Sequence, residues 1–388
     1  MTTYNIKRNE TMEIYLDNAA TTKPIQESID RMVYVLEKVF GNPSSLHQKG
    51  IDAEKIIKAA AEFFAGKLAC NKEEIIFTSG GTESNNLAIL GVANAYKRYG
   101  NKIITTNIEH SSVKETMKFL SKNGFEIYTL KVDNRGYVDL DELTAAIDEN
   151  TILVSIMHVN NEIGTVQDIA AIGSLIKRLN KNTFFHVDAV QGFAKYPISV
   201  KQAKIDLLSV SAHKFYAPKG VGFLYKGANV RVKNIIFGGG QQNNLRSGTE
   251  NVAGIAAMQI SAEIMFKKYK DCQDSMSENK KYFATKILET IENTKVNGDL
   301  ENGAFHILNV TFGGVKAEVL LHALEAEGIF VSSGSACSSN SVKKETTLTA
   351  IGEKEGAIRF SFGVDTLRED LEYVLKVLQK QVKILKRN

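Results

Sequence analysis

The sequence predicts an α/β protein built on a largely parallel, helix-covered sheet, with a smaller second domain following it. Three observations carry that prediction. The chain has 388 residues, 43% of them hydrophobic, which exceeds one ordinary compact domain and supplies an ample core. From about residue 50 to 225, short β-branched runs alternate with amphipathic ones. After about residue 265 the texture changes to longer charged helices around fewer strands.

The elements follow in order. Ile75–Thr78, Ile103–Thr106, Ile152–Met157, Phe184–Asp188 and Leu207–Val210 are brief apolar runs bounded by polar or glycine punctuation, the pattern of buried strands. Between them Ser84–Tyr99, Ser112–Lys122 and Ile169–Leu179 read as helices. A sheet of this kind binds ligands at the carboxyl ends of its strands. In the second domain Asn309–Phe312 and Ile358–Phe362 read as strands. The final segment shows a capping-box pattern, Thr366 then Glu369, ahead of Leu371, Val374, Leu378, Val382 and Leu385, which marks a helix packed by one face.

Composition narrows the function classes. The 48 Lys and Arg against 44 Asp and Glu give a net charge of +4, spread without blocks of like charge. Neither nucleic acid nor a membrane is therefore an expected partner. The 3 cysteines, Cys70, Cys272 and Cys337, are odd in number and widely spaced, which argues against a disulfide framework and fits a reducing cytoplasm. No apolar stretch is long enough to span a bilayer, and residues 1–11 lack the apolar centre of a signal peptide, so they are expected to be a dispensable extension of a cytoplasmic protein.

Three stretches carry chemistry. The first, Thr78-Ser79-Gly80-Gly81-Thr82-Glu83-Ser84-Asn85-Asn86, closes a strand and opens a helix; its glycines let backbone approach an anion, and free amides with the Thr82 hydroxyl suit a phosphate. The same residues also fit an ordinary capped turn. The second, His186-Val187-Asp188-Ala189-Val190-Gln191, puts a carboxylate at the sheet edge, where it can hold a protonated ring nitrogen or simply cap the next turn. The third, Ser211-Ala212-His213-Lys214 ahead of Pro218-Lys219-Gly220, places a lysine beside Ser and His, and burial would lower its pKa as an imine-forming amine needs. In this order the three support one another.

At this point the sequence resembles the cysteine desulfurases, in the class V aminotransferase group of fold-type I pyridoxal-phosphate enzymes. The resemblance runs from Tyr15 to roughly Gly363 through Tyr-Leu-Asp-Asn-Ala-Ala-Thr-Thr at 15–22, Gly-Asn-Pro-Ser-Ser at 41–45, Met-His-Val-Asn-Asn-Glu-Ile-Gly at 157–164, Ser-Ala-His-Lys at 211–214, Arg-Ser-Gly-Thr-Glu-Asn at 246–251 and Ser-Ser-Gly-Ser-Ala-Cys at 332–337. It implies a mostly parallel seven-stranded-type sheet in a large domain at residues 22–265, and a smaller α+β domain from residues 12–21 and 266–388.

Carried over residue by residue, the resemblance implies that Lys214 holds pyridoxal 5'-phosphate covalently, that Asp188 pairs with its ring nitrogen, and that His110 stacks on the ring. Asn161 and Gln191 would bond its oxygen side, and Gly81, Thr82, Ser211 and His213 its phosphate. Thr249 would reach the phosphate of a neighbouring subunit, so a homodimer is implied. Arg359, with Asn161, would clamp the carboxylate of an L-cysteine substrate. Cys337, among small polar residues unable to anchor a core, would take the substrate sulfur as a persulfide, and His110 would serve proton movement at the substrate thiol. No resident metal is implied, although Cys337 could ligate an iron–sulfur cluster transiently during transfer. Cys70, after an apolar run, is expected to be a small buried hydrophobe and Cys272 an incidental exposed thiol.

The sequence departs from the commoner family pattern at Tyr216-Ala217 and Gln242-Asn243-Asn244, away from the reacting groups, and in the segment after Cys337. The chain also stops at Asn388, without an extension used elsewhere in the family to dock a scaffold. The sulfur acceptor is accordingly left between an iron–sulfur scaffold and a tRNA thiouridine synthase, the second being the better match to this tail. A class V aminotransferase would share the cofactor site without needing Cys337, and a selenocysteine lyase would share it with a different substrate preference.

Overall fold

The computed structural model describes residues 13–333, 346–353 and 356–386. Residues 1–11 and Cys337 lie outside them. In chain order the strands and helices are β1 (Ile14–Tyr15), α1 (Gln26–Lys38), α2 (Gln48–Leu68), β2 (Ile75–Thr78), α3 (Gly81–Tyr96), β3 (Lys102–Thr106), α4 (Ser111–Lys122), β4 (Glu126–Leu130), α5 (Leu140–Ala146), β5 (Thr151–Met157), α6 (Ile169–Leu179), β6 (Phe184–Asp188), β7 (Leu207–Ser211) and β8 (Gly222–Lys226). There follow α7 (Val252–Thr290), β9 (Thr294–Asn297), β10 (Ile307–Phe312), α8 (Ala317–Glu325), β11 (Ile329–Phe330), β12 (Ser332–Ser333), α9 (Thr347–Ala350), β13 (Ala357–Ser361) and α10 (Arg368–Leu385).

The main sheet has 7 strands in the order β2-β8-β7-β6-β5-β3-β4. Its centre is parallel, and β8 runs antiparallel to both neighbours. Strands β5 and β7 are buried at every position, as expected where helices cover both faces. Two strands had no clear signature in the sequence. The edge strand β4, Glu126-Ile-Tyr-Thr-Leu, is half exposed and therefore not an apolar run. Strand β8 begins at Gly222, inside what reads as a glycine-rich turn. At the other edge, the Phe77 amide of β2 donates to Gln242 Oε1 at 2.9 Å, so a side chain occupies part of the open edge.

A second sheet, β12-β13-β10-β9, is antiparallel, and β1 pairs in parallel with β11. The 39-residue helix α7 runs unbroken through residue 265, from contacts with α1 and α2 to contacts with α10. One continuous apolar cluster includes Val154 and Phe185 of the first sheet and Val310 and Phe360 of the second. The last helix keeps its expected apolar face, with Leu371, Val374, Leu378 and Val382 buried. Its cap differs from the Thr366–Glu369 reading: the Asp370 carboxylate accepts the Leu367 amide at 2.9 Å, while Thr366 Oγ1 turns back to the Gly363 amide at 2.8 Å. Among the described residues no helix is long and apolar enough to cross a membrane.

Candidate active site

The carboxyl ends of β2, β3, β5, β6 and β7 open into one cavity of about 1330 Å³. Gly81, His110, Asp188, Lys214, Asn161 and Arg359 all line it. Residues far apart in the chain, from Gly81 to Arg359, are thus gathered at the edge where a parallel sheet places its ligands.

Helix α3 begins three residues earlier than the pattern suggests, at Gly81, directly after Gly80. Gly80 has φ 145, a conformation open to glycine, and no side chain caps the helix. Its first amides are therefore available to an anion, with the dipole adding to the attraction. The cradle is tight. A Cβ on Gly81 would meet Val190 Cγ2 at 2.7 Å, and one on Gly222 would run into Val210 O and meet Gly80 Cα at 2.8 Å. Glu83 steadies the turn by accepting the Ser79 amide at 2.9 Å and Arg246 Nε at 2.9 Å. Burial alone would raise the Glu83 pKa, but these bonds outweigh it and hold the group ionised.

Ser211 and His213 also line the cavity, and Thr82 lies at its mouth. His213 Nδ1 lies 3.1 Å from Thr21 Oγ1. Burial, then the cations Lys214, Lys219 and Lys195, push its pKa down to about 4, so its ring is neutral at pH 7. Thr249 differs: it is exposed and does not line the cavity of its own chain.

Lys214 sits in the short turn after β7, and its Nζ donates to Ala19 O at 2.8 Å and Ala20 O at 2.7 Å. Burial, then the Arg359 guanidinium, lower its pKa to about 8, against the opposing pull of Asp17 and Asp188. A lysine held by two carbonyls and partly deprotonated at neutral pH is an accessible nucleophilic amine. Its own backbone carbonyl accepts Lys195 Nζ at 2.8 Å, which anchors the turn from the core side.

Asp188 is 4% exposed and accepts Asn85 Nδ2 at 2.8 Å on one oxygen and the Val190 amide at 3.0 Å on the other. Its carboxylate is thereby aimed and still has lone pairs for a ring N–H. His110 caps α4, with Nδ1 accepting the Ser112 amide at 3.1 Å. Burial and the Lys214 and Lys114 cations lower its pKa, against Asp188, which raises it. Gln191 donates Nε2 to Ala19 O at 2.7 Å, leaving Oε1 buried and without a partner.

Arg359, on β13 of the second sheet, donates to Asn161 O at 2.9 Å and to Asp17 Oδ1 at 2.7 Å, and its Nε is buried without a partner. Asn161 therefore meets Arg359 through its backbone carbonyl and also lines the cavity. Several groups here had no role assigned from the pattern. Asp17, Asn85 and Glu162 all lie within stretches that look familiar in sequence, yet only folding shows what they touch. Glu109, wholly buried against Thr106 Oγ1 and the Met157 amide, has its pKa pushed up to about 8, chiefly by burial.

The buried, unsatisfied atoms on Gln191 and Arg359, the glycine cradle and the aimed carboxylate fit a flat, phosphorylated, ring-bearing group such as pyridoxal 5'-phosphate. Lys214 would hold it, Asp188 would pair with its ring nitrogen, and the α3 turn would hold its phosphate.

The bystander thiols are inert by environment. Cys70 is partly buried, and burial, then Glu74, push its thiol up to about 12. Cys272 is half-buried, contrary to the exposed thiol expected, because its face of α7 turns toward Met276 and the core; Sγ lies 3.5 Å from Met276 Sδ.

Residues 14–374 match the family model described as aminotransferase class-V. The chain is 43% identical over 378 residues to the cysteine desulfurase IscS of Dictyoglomus turgidum, covering 96% of this chain and 95% of that one. It is 41% identical over 383 residues to the cysteine desulfurase IscS of Escherichia coli O139:H28, covering 96% and 93%. Among solved structures, a NifS-like protein superposes with a TM-score of 0.91 at 36% identity, over 96% of this chain and all of that one. Another, titled SspA in complex with cysteine, gives a TM-score of 0.79 at 33% identity, over 92% of this chain. With the family model matching residues 14–374 and a relative 43% identical over nearly the whole chain, the chain belongs to the class V aminotransferase family of pyridoxal-phosphate enzymes.

Proposed function

We propose that the protein is a cysteine desulfurase: L-cysteine and the Cys337 thiol become L-alanine and a Cys337 persulfide. The observation that carries this reading is one cavity lined by Lys214, Asp188 and Arg359, bordered by Ser333 and Thr346 on either side of the 334–345 segment in which Cys337 lies. The relatives that carry the name desulfurase support it, since they match over nearly the full chain.

Arg359 holds the substrate carboxylate, and Lys214 removes and returns protons at the substrate α-carbon. Bound pyridoxal phosphate supplies the electron sink that makes that proton acidic. Asp188 keeps the ring nitrogen protonated and His110 covers the ring face. Gly81, Thr82, Ser211 and His213 hold the phosphate, with Asn161 and Gln191 on the ring-oxygen side. Cys337 attacks the substrate sulfur as thiolate; the carbon–sulfur bond breaks, a sulfur–sulfur bond forms, and the electron pair left on carbon is protonated to give alanine.

The molecule works as a homodimer in this reading, with Thr249 completing the partner's phosphate site. Leu46, Phe237 and Phe40 are 97%, 80% and 70% exposed in the single chain, and the bridge between Ile236 and Arg246 ties Phe237 to the strap bearing Thr249. The cofactor-binding domain comprises residues 22–265, and residues 12–21 with 266–388 form the smaller domain. The persulfide passes to an iron–sulfur scaffold or a tRNA thiouridine synthase in a reducing cytoplasm.

Purified protein given L-cysteine and a reductant should release alanine and sulfide in equal amounts. Cys337→Ser should abolish both products while keeping the yellow absorbance of the Lys214-bound cofactor. Retained activity in that variant would overturn the reading.

A further inference from the structure

We propose that Asn85, donating both to the Asp188 carboxylate and to the Ser112 hydroxyl, turns the Ser112 hydrogen toward His110 in a hydrogen-bond relay, which fixes His110 as a neutral ring protonated on Nε2 and makes it a hydrogen-bond donor, not a base. The inference rests on the desulfurase reading for its consequence in turnover, but the relay itself is a property of the folded site.

The direction of each bond follows from chemistry. Asn85 is 1% exposed, and its Nδ2 lies 2.8 Å from Asp188 Oδ2 and 2.9 Å from Ser112 Oγ. The amide orientation is set by the carboxylate, because turning Oδ1 toward Asp188 would oppose two acceptors. An amide nitrogen only donates, so Ser112 Oγ accepts from Asn85. The Ser112 hydrogen is then left for its contact with His110 Nδ1 at 2.8 Å. The Ser112 backbone amide points at the same nitrogen from 3.1 Å.

His110 Nδ1 thus receives two donors and must be the bare nitrogen, which puts the ring proton on Nε2. Adding a proton at Nδ1 would set it against the Ser112 amide hydrogen. The charged neighbours facing the ring are Asp188, which favours protonation, and Lys214 and Lys114, which oppose it; burial opposes it further. Asn85 Oδ1 is left buried with no partner, so both amide hydrogens serve the relay at the expense of the carbonyl. The consequence for the desulfurase reading is that the substrate sulfur meets an N–H donor of His110, not a bare ring nitrogen.

Nitrogen-15 spectra of histidine-labelled holoenzyme, assigned with His110→Gln, test this without turnover. The wild type should show the Nε2–H tautomer and a titration midpoint below about 6.5, the ordinary histidine value. Ser112→Ala and Asn85→Ala should raise the midpoint by about half a unit or more while the Ser112 backbone amide keeps the Nε2–H form, whereas Ser112→Thr, which keeps the hydroxyl, should restore the wild-type midpoint. The acid limb of the kcat/KM profile should move with the midpoint. An Nδ1–H ring in the wild type, or an unchanged midpoint in Ser112→Ala with the yellow absorbance intact, overturns the relay. A protein that shows the tautomer but makes no alanine from cysteine overturns the desulfurase reading alone.

Discussion

Asp17 Oδ1 accepts a hydrogen bond from Arg359 Nη2 at 2.7 Å, and the two residues lie 342 positions apart, at the two ends of the chain. Strand β13 carries Arg359 opposite Ser332 and Asn309, and the bridge between Asp17 and Ser361 brings the N-terminal segment alongside. The guanidinium is thereby fixed on one side by a carboxylate and on another by the Asn161 carbonyl. Its orientation depends on a residue that does not itself line the cavity.

Asp17→Asn should therefore act on substrate binding more than on chemistry. A hydrogen bond to a charged group contributes roughly 1.5–3 kcal/mol, so KM for cysteine is expected to rise about tenfold or more with kcat little changed. Steady-state kinetics decide the matter: a lowered kcat at constant KM would mean that Asp17 serves the chemistry directly.

Gly222 predicts a separate effect on cofactor affinity. It pairs with Thr78 of β2 and Ser211 of β7, and its Cα faces Gly80 closely. Gly222→Ala forces the phosphate-binding turn outward, at a cost of about 1–3 kcal/mol for overpacking. Pyridoxal phosphate should dissociate about tenfold more readily, as followed by loss of yellow absorbance on dilution. Gly314→Ala is the control, because its φ of 78 is strained but nothing lies within 4 Å.

Buried histidines should make the fold acid-sensitive above the range where most carboxylates titrate. His186 lies between Ser155 Oγ at 2.8 Å and Ser209 Oγ at 3.0 Å, and burial lowers its pKa to about 3; burial likewise lowers His158 to about 4. The unfolded chain protonates these rings near 6.5, so between there and about 4 it binds more protons than the native state, and stability is lost as pH falls through that window. Glu109 has the opposite sign, since its raised folded pKa stabilises the acid side. The quantity to read is therefore the difference between His186→Gln and wild type in urea unfolding at several pH values. The slope between pH 6.5 and 4.5 should be shallower in the variant by about 1 kcal/mol per pH unit; parallel slopes would contradict it.

Much of this protein is written locally. Strand β6, from Phe184 to Asp188, and helix α6, from Ile169 to Leu179, fall where the apolar pattern places them, because burial on both faces leaves an apolar run and an amphipathic face leaves a period. The lysine, the carboxylate and the glycine turn are legible for a similar reason: each is a short motif at the end of a strand. Strand β4 is less legible because an edge is half solvated, and the start of α3 because Gly80 adopts a backbone conformation that no pattern of polarity reports.

The sequence by itself determines the family, the alternation of strand and helix, and the residue types that stand at the ends of the strands. Only the tertiary structure decides their state. Asp17 reaches Arg359, Asn85 reaches Asp188, and Lys195 reaches the Lys214 carbonyl through contacts between distant segments. Hydrogen-bond direction, tautomer and pKa are set by the atoms within a few ångströms and by the water excluded there, and that neighbourhood exists only once the chain has folded.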